Sequence, residues 1–181
     1  NGSFNTGATG WTTNSGNITY FSTGGNPGGW LWLNDVGGPS GFDPSATQVV
    51  NGFTIGQTYT ITGSTRNHAV CCGQFIGQPA LAIDLDGVQQ TVINNPGTTW
   101  TAFSYSFTAT ATAHTLRFRS EINGNDTDMG IDNIAIVGSS LGIGTSLSLG
   151  CSQVGTNGVT LLVTDVNGNS STCSATVTVQ D

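Results

Sequence analysis

Residues 118–137, FRSEINGNDTDMGIDNIAIV, carry Glu121, Asp126, Asp128 and Asp132, four of the ten acidic residues of a chain with few charges. Carboxylates this close together can serve as a catalytic pair, as a cation site or as a polar turn. A glycosidase needs two carboxyl groups facing each other across a cleft, about 5–10 Å apart, one with a raised pKa. Glu121 is the only glutamate, and its Asp neighbours lie in the same short turn, too local to flank a substrate. Two histidines are present, but no nucleophile-elbow sequence accompanies them. The sequence therefore predicts a protein that is not an enzyme.

Strand phase sharpens the cation reading. If IDNIAIV is a strand, Asp132 shares a face with Ile134 and Ile136 and points into the core, where a carboxylate is costly unless paired, hydrogen-bonded or metal-bound. Asp126 and Asp128 sit in a turn marked by NGN, with no basic residue nearer than Arg119. Oxygen-rich ligands of this kind suit calcium, although the spacing is not that of an EF-hand. The alternative is that Asp126 and Asp128 are solvated turn residues and Asp132 accepts backbone hydrogen bonds.

A second group of candidates lies in GGWLWLND. Trp30 and Trp32 alternate with Leu31 and Leu33, so one pair faces the core and the other faces away. With the leucines inward, two indole rings are presented together, a surface suited to the apolar faces of sugar rings. Asn34, Gln74 and Gln78 could then meet the sugar hydroxyls. In the opposing reading both tryptophans are buried or covered. Trp11 and Trp100 read as structural. His68, Cys71 and Cys72 lack a fourth ligand and match no closed zinc spacing, and the redox state of the adjacent cysteines stays open.

The elements that must position these residues are strands. Glycine (27 residues), abundant Thr, Ser and Asn, three arginines and no lysine leave no charged faces for long exposed helices. TYTITGSTR, ALAIDLDGVQQTVI, TWTAFSYSFTAT and HTLRFRSEI each have a period of two. Asp86-Gly87 between two apolar runs marks a tight hairpin. Seven or more such strands predict an all-β protein, a jelly-roll β-sandwich. A net charge of -7 removes the counterion release that drives nucleic-acid binding and disfavours anionic membranes. The chain holds no run of 18 apolar residues and no signal peptide, and its first residue, Asn1, is that expected of a mature processed chain.

After GSSLGIG the texture changes to the simple alternation GVTLLVTDVNGNSSTCSATVTVQD, which sets a boundary near Ser139 and domains at 1–138 and 139–181. Cys151 and Cys173 flank a strand pair and could close a loop for which a disulfide contributes roughly 3 kcal/mol. That pairing predicts an oxidising, extracellular location.

Several short motifs carry a resemblance. NGSFN at the start, Gly10-Trp11, LAIDLDG and the closing HTLRFRSEINGNDTDMGIDNIAIV together resemble the calcium-containing jelly-roll carbohydrate-binding modules that open on an NGxFE-like strand and close on an IDDV-like one. The resemblance implies a structural calcium held by Asn5 and Asp132, tying the chain's first strand to the last of the jelly roll. Asn5 stands where the family carries Glu. Residues 139–181, with Cys151, Val154-Gly155, VTDVNGN, Cys173 and the ending VTVQD, resemble the C-terminal half of the HYR-type immunoglobulin-like repeats of bacterial surface proteins.

About 40 residues in some three strands bury too little surface to be stable alone. They must extend the jelly roll, border a further repeat of a longer adhesin, or take a missing strand from another molecule, as donor-strand assemblies do. Two functions follow: an extracellular glycan-binding, adhesive module of a bacterial secreted or cell-surface protein, or a filament subunit that forms a homo-polymer by strand addition.

Overall fold

The computed structural model describes residues 1–14, 18–34, 43–68, 79–94, 96–121, 128–138, 149, 151–164 and 170–180. The chain divides into two compact units, Asn1–Ser139 and Ser140–Asp181.

In the first unit the period-two segments become strands of two five-stranded antiparallel sheets. The first sheet has the order β1 (Thr12–Thr13), β4 (Ser45–Asn51), β9 (Ala113–Ser120), β6 (Ala80–Leu85), β7 (Val88–Asn94). The second has the order β2 (Ile18–Gly25), β3 (Gly28–Leu33), β10 (Met129–Gly138), β5 (Thr58–Asn67), β8 (Thr101–Thr108). The architecture is an all-β sandwich, as the alternation predicted. Its core takes one residue in two from each facing strand: Leu31 and Leu33, Ile61, Leu81 and Ile83, Phe103 and Phe107, Leu116 and Phe118, Met129 and Ile131. Asp86 and Gly87 both have positive φ, as the tight hairpin between β6 and β7 requires. Gly63 lets β5 lie flat against its neighbours, because a Cβ there would stand 2.5 Å from Phe103 Cζ and 2.6 Å from Ile134 Cδ1.

One strand departs from the predicted phase. In β10 the register shifts between Asp132 and Ala135, with Asn133 at φ 54. The bulge holds Met129 and Ile131 on the core side and returns Ile134 and Ile136 to it, so Asp132 belongs to the other face. It is nonetheless fully buried, beneath the turn between β2 and β3. The N-terminal segment runs past the same bulge, where Ile134 N donates to Gly2 O at 2.9 Å.

The second unit contains a short 3-10 turn, Cys151–Gln153, and a hairpin of β11 (Gly155–Thr164) and β12 (Ser170–Val179) paired over ten rungs. Two strands are present among the described residues, where the sequence predicted about three. Cys173 is an exposed free cysteine, opposite Leu161. The expected Cys151–Cys173 disulfide is therefore corrected. Cys173 lies six residues, about 20 Å, along β12 from the Gly155/Val179 rung. The segment from Cys151 to Gly155, partly wound in a 3-10 turn, is too short to bring Cα atoms within the roughly 7 Å a disulfide spans.

Candidate functional site

β3 places the two tryptophans. Leu31 and Leu33 pack into the core, and Trp30 and Trp32 project from the outward face of the second sheet. Trp30 is not a presented ring, however: it is 2% exposed. Phe21 on β2 stacks on it at 4.7 Å and 14°, while His68 (4.7 Å) and Trp100 (5.7 Å) meet it edge-on. Arg66 on β5 lays its guanidinium 4.5 Å from the Trp30 ring and 4.7 Å from the Trp100 ring. The indole N–H groups of Trp30 and Trp100 donate to Thr23 O and Gly24 O, binding the cluster to β2. Expecting Trp30 to share a platform is thus corrected, because residues from other strands cover it.

Trp32, like Phe21, His68 and Trp100, is half-buried, and it lies 6.0 Å from Phe21 and 5.1 Å from His68. Its Nε1 is buried and has no hydrogen-bond partner among the described residues. Burial, and then the neighbouring Arg66 charge, push the His68 imidazole down to about 4, so His68 is neutral at physiological pH. Asn34 follows β3 and is half-buried; Gln74, Gln78, Cys71 and Cys72 lie outside the described residues. Trp11 is a core residue between Phe4 and Phe118, whereas Trp100 belongs to the outward cluster.

Asn5 and Asp132 reach the same turn. Asn5 Oδ1 accepts from Gly29 N at 3.1 Å. The Asp132 carboxylate accepts from Asn26 N and, at 2.6 Å, from Asn133 N. A Cβ on Gly25 would stand 2.5 Å from Gly29 O, 2.7 Å from Asp132 Oδ2 and 2.8 Å from Gly28 O, so three oxygens converge where this glycine leaves room. The donors are all oxygen and one is anionic, a set that fits a hard cation such as calcium. Burial raises the Asp132 pKa against the pull of its two backbone donors. Asp128 does not belong to this group: it precedes β10 by one residue and lies four residues, about 13 Å, from Asp132. Asp126 lies outside the described residues.

Sequence reasoning missed an ionic group on the outward face of the first sheet. Asp84, 0% exposed, accepts on Oδ2 from Arg117 Nε at 2.6 Å and Arg119 Nε at 3.0 Å, and its Oδ1 has no hydrogen-bond partner among the described residues. Arg119 also pairs with Asp43 at 2.7 Å and with Glu121, and donates to Gln89. Burial opposes the Arg119 charge, but these carboxylates outweigh it and raise its pKa. The signal was legible in phase alone: Asp84 alternates with Leu81, Ile83 and Leu85, and Arg117 and Arg119 with Leu116 and Phe118.

No protein-family model matches the chain, and no curated protein matches it. Solved structures do. The chain superposes on the enzymatically active domain of bacteriophage CBA120 tailspike protein 4 with a TM-score of 0.55 and 16% identity, over 76% of its length but 21% of the tailspike chain. It superposes on TmCBM61, solved with β-1,4-galactotriose, with a TM-score of 0.54 and 13% identity, over 76% of this chain and 95% of that one. The fold is that of the carbohydrate-binding β-sandwich modules. The CBM22-1 xylan-binding domain from Paenibacillus barcinonensis matches with a TM-score of 0.52 and 13% identity, covering 71% and 85% of the two chains.

Proposed function

We propose that the first unit is a non-catalytic glycan-binding module of an extracellular protein, binding neutral polysaccharide on the outward face of its second sheet around Trp32. The observation that carries this reading is the half-open Trp32 ring, backed by Phe21, His68 and the buried Trp30. An aromatic face set on paired strands takes the C–H face of a sugar. The fold shared with modules solved on galactotriose or named as xylan-binding supports the ligand class. In the same reading, calcium held by Asn5, Asp132 and the Gly28 and Gly29 carbonyls is structural, neutralising a buried carboxylate and fastening the N-terminal segment to β10. The test is isothermal titration over a panel of neutral oligosaccharides. Trp32→Ala should weaken binding 5- to 150-fold, the roughly 1–3 kcal/mol of an aromatic anchor. Unchanged affinity in a folded Trp32→Ala protein would remove the site.

One observation favours a second role. β11 and β12 are ten residues each, carry no charge and no proline, and have no further strand beside them among the described residues. Long, uncharged edges of this kind are templates for strand addition. We propose that the second unit is completed by a strand from another copy of the chain, giving a filament or adhesive assembly. Light scattering tests it: the full chain should associate and the chain lacking residues 139–181 should be monomeric. Equal association of both would refute it.

A further inference from the structure

A second site lies away from Trp32, where the edge strands of the two sheets face one another. β7 closes the first sheet and β8 the second, and Tyr105 Oη donates across the gap to Gln90 Oε1 at 2.9 Å. Beside this bridge a cleft of about 540 Å³ reaches down to Phe107 and His114. That volume falls within the range of small-ligand sites.

Its polar groups are fixed before any ligand arrives. His114, on the floor and buried, receives Thr110 N and Ala111 N on Nε2, each at 3.3 Å. Nε2 is therefore an acceptor, so Nδ1 carries the proton and donates to Asp86 Oδ2 at 2.5 Å. Asp86 Oδ1 accepts from Thr115 N at 2.7 Å. Each carboxylate oxygen thus spends one acceptor position on the protein and keeps another for the cleft. Gln90 is held at both ends, since its Nε2 also donates to Val88 O at 3.0 Å. Val88, 62% exposed, and the half-buried Tyr105 ring add apolar wall. No arginine lines the cleft, and its histidine is committed inward, so nothing there attracts an anion.

We infer that this edge cleft is a second saccharide site, taking one or two neutral, hydroxyl-rich sugar rings with Tyr105 and Val88 against their C–H faces and Asp86 and Gln90 on their hydroxyls. The ligand class rests on the glycan-binding reading of the unit; the location does not depend on Trp32. With two sites the unit bridges two glycan chains, or two stretches of one, and gains avidity without new contacts.

The experiment is a ¹H–¹⁵N correlation spectrum titrated with β-1,4-linked galactose, xylose and glucose oligosaccharides, on the wild-type chain and on Trp32→Ala, Asp86→Asn and Tyr105→Phe. Asparagine tolerates the left-handed conformation of residue 86 (φ 52), so Asp86→Asn keeps the turn, and Tyr105→Phe leaves the turn untouched. With at least one sugar, the amides of Gly87, Val88, Thr108 and Thr110 should shift in the wild type and equally in Trp32→Ala. They should require at least ten-fold more ligand in Asp86→Asn and several-fold more in Tyr105→Phe. Cleft amides unmoved by every oligosaccharide at millimolar concentration, or moved alike in all four proteins, overturn the inference. Shifts around Leu33 and Gly130 read the Trp32 site separately, so either site can fail alone.

Discussion

Trp30 and Trp32 are two residues apart on one face of one strand, yet truncating them should have different consequences. Trp30→Ala removes a ring that is 2% exposed, stacked on Phe21, capped by Arg66 and anchored by its N–H to Thr23 O. Deleting a buried tryptophan costs about 3–5 kcal/mol from lost transfer energy and the cavity left behind. The Phe21 stack and the Arg66 contact add about 0.5–1.5 and 0.5–2 kcal/mol, overlapping in part with the first figure. A total near 5 kcal/mol, at about 3 °C per kcal/mol for a unit of this size, lowers the melting temperature by roughly 15 °C. Trp32→Ala removes a half-buried ring whose N–H has no partner among the described residues, and it should cost about 1–2 kcal/mol. Thermal melting followed by circular dichroism, with urea denaturation as the second measure, compares the two. Equal destabilisation, or a Trp30→Ala protein within about 1 kcal/mol of wild type, would refute the assignment of Trp30 as support and Trp32 as contact.

Two further outcomes are expected. Adding calcium to chelated protein should raise the melting temperature, by an amount equivalent to about 2.7 kcal/mol when calcium is a hundred times its dissociation constant, and Asp132→Ala should abolish the rise. An identical response in the variant rules out Asp132 as a ligand. The pH dependence of stability should report His68. Its folded pKa, about 4, lies below the ordinary 6.5, so the unfolded chain binds the proton more readily. Its effect is therefore nil above about pH 6.5 and destabilising as the pH falls from 6.5 towards 4, by about 1 kcal/mol once solvent screening of a half-exposed ring is allowed for. Asp132, with a raised folded pKa, works in the opposite direction in acid, so the comparison is with His68→Phe, whose urea midpoint should fall less between pH 7.5 and 5. Parallel curves for the two proteins would show that His68 does not titrate as described.

Much of the sandwich was legible because alternation is a local signal: Leu81, Ile83 and Leu85, or Leu116 and Phe118, need only their own strand to declare an inward face. The hairpin at Asp86-Gly87 was legible for the same reason. The orientation of Leu31 and Leu33 could be read too, and with it the outward direction of both tryptophans. The burial of Trp30 could not, because Phe21, Arg66, His68 and Trp100 come from β2, β5 and the segments after β5 and before β8, and only the sheet order brings them together. Asp132 was misplaced for a related reason. Its neighbours obey a period of two on either side of a bulge that shifts the phase at Asn133, and although asparagine tolerates a positive φ, one such residue inside an alternating run does not by itself mark a bulge.

The three arginines have a consequence for how the molecule meets proteases. With no lysine in the chain, Arg66, Arg117 and Arg119 are the only residues after which a trypsin-like enzyme can cut. Arg66 lies in β5 and the other two in β9, interior strands paired on both sides, where the backbone cannot enter a protease cleft as an extended loop. Cleavage must wait for the sheets to open, so digestion by trypsin becomes a clock for unfolding of the first unit. The second unit contains no arginine or lysine, so a trypsin-like enzyme finds no site within it whether it is folded or not.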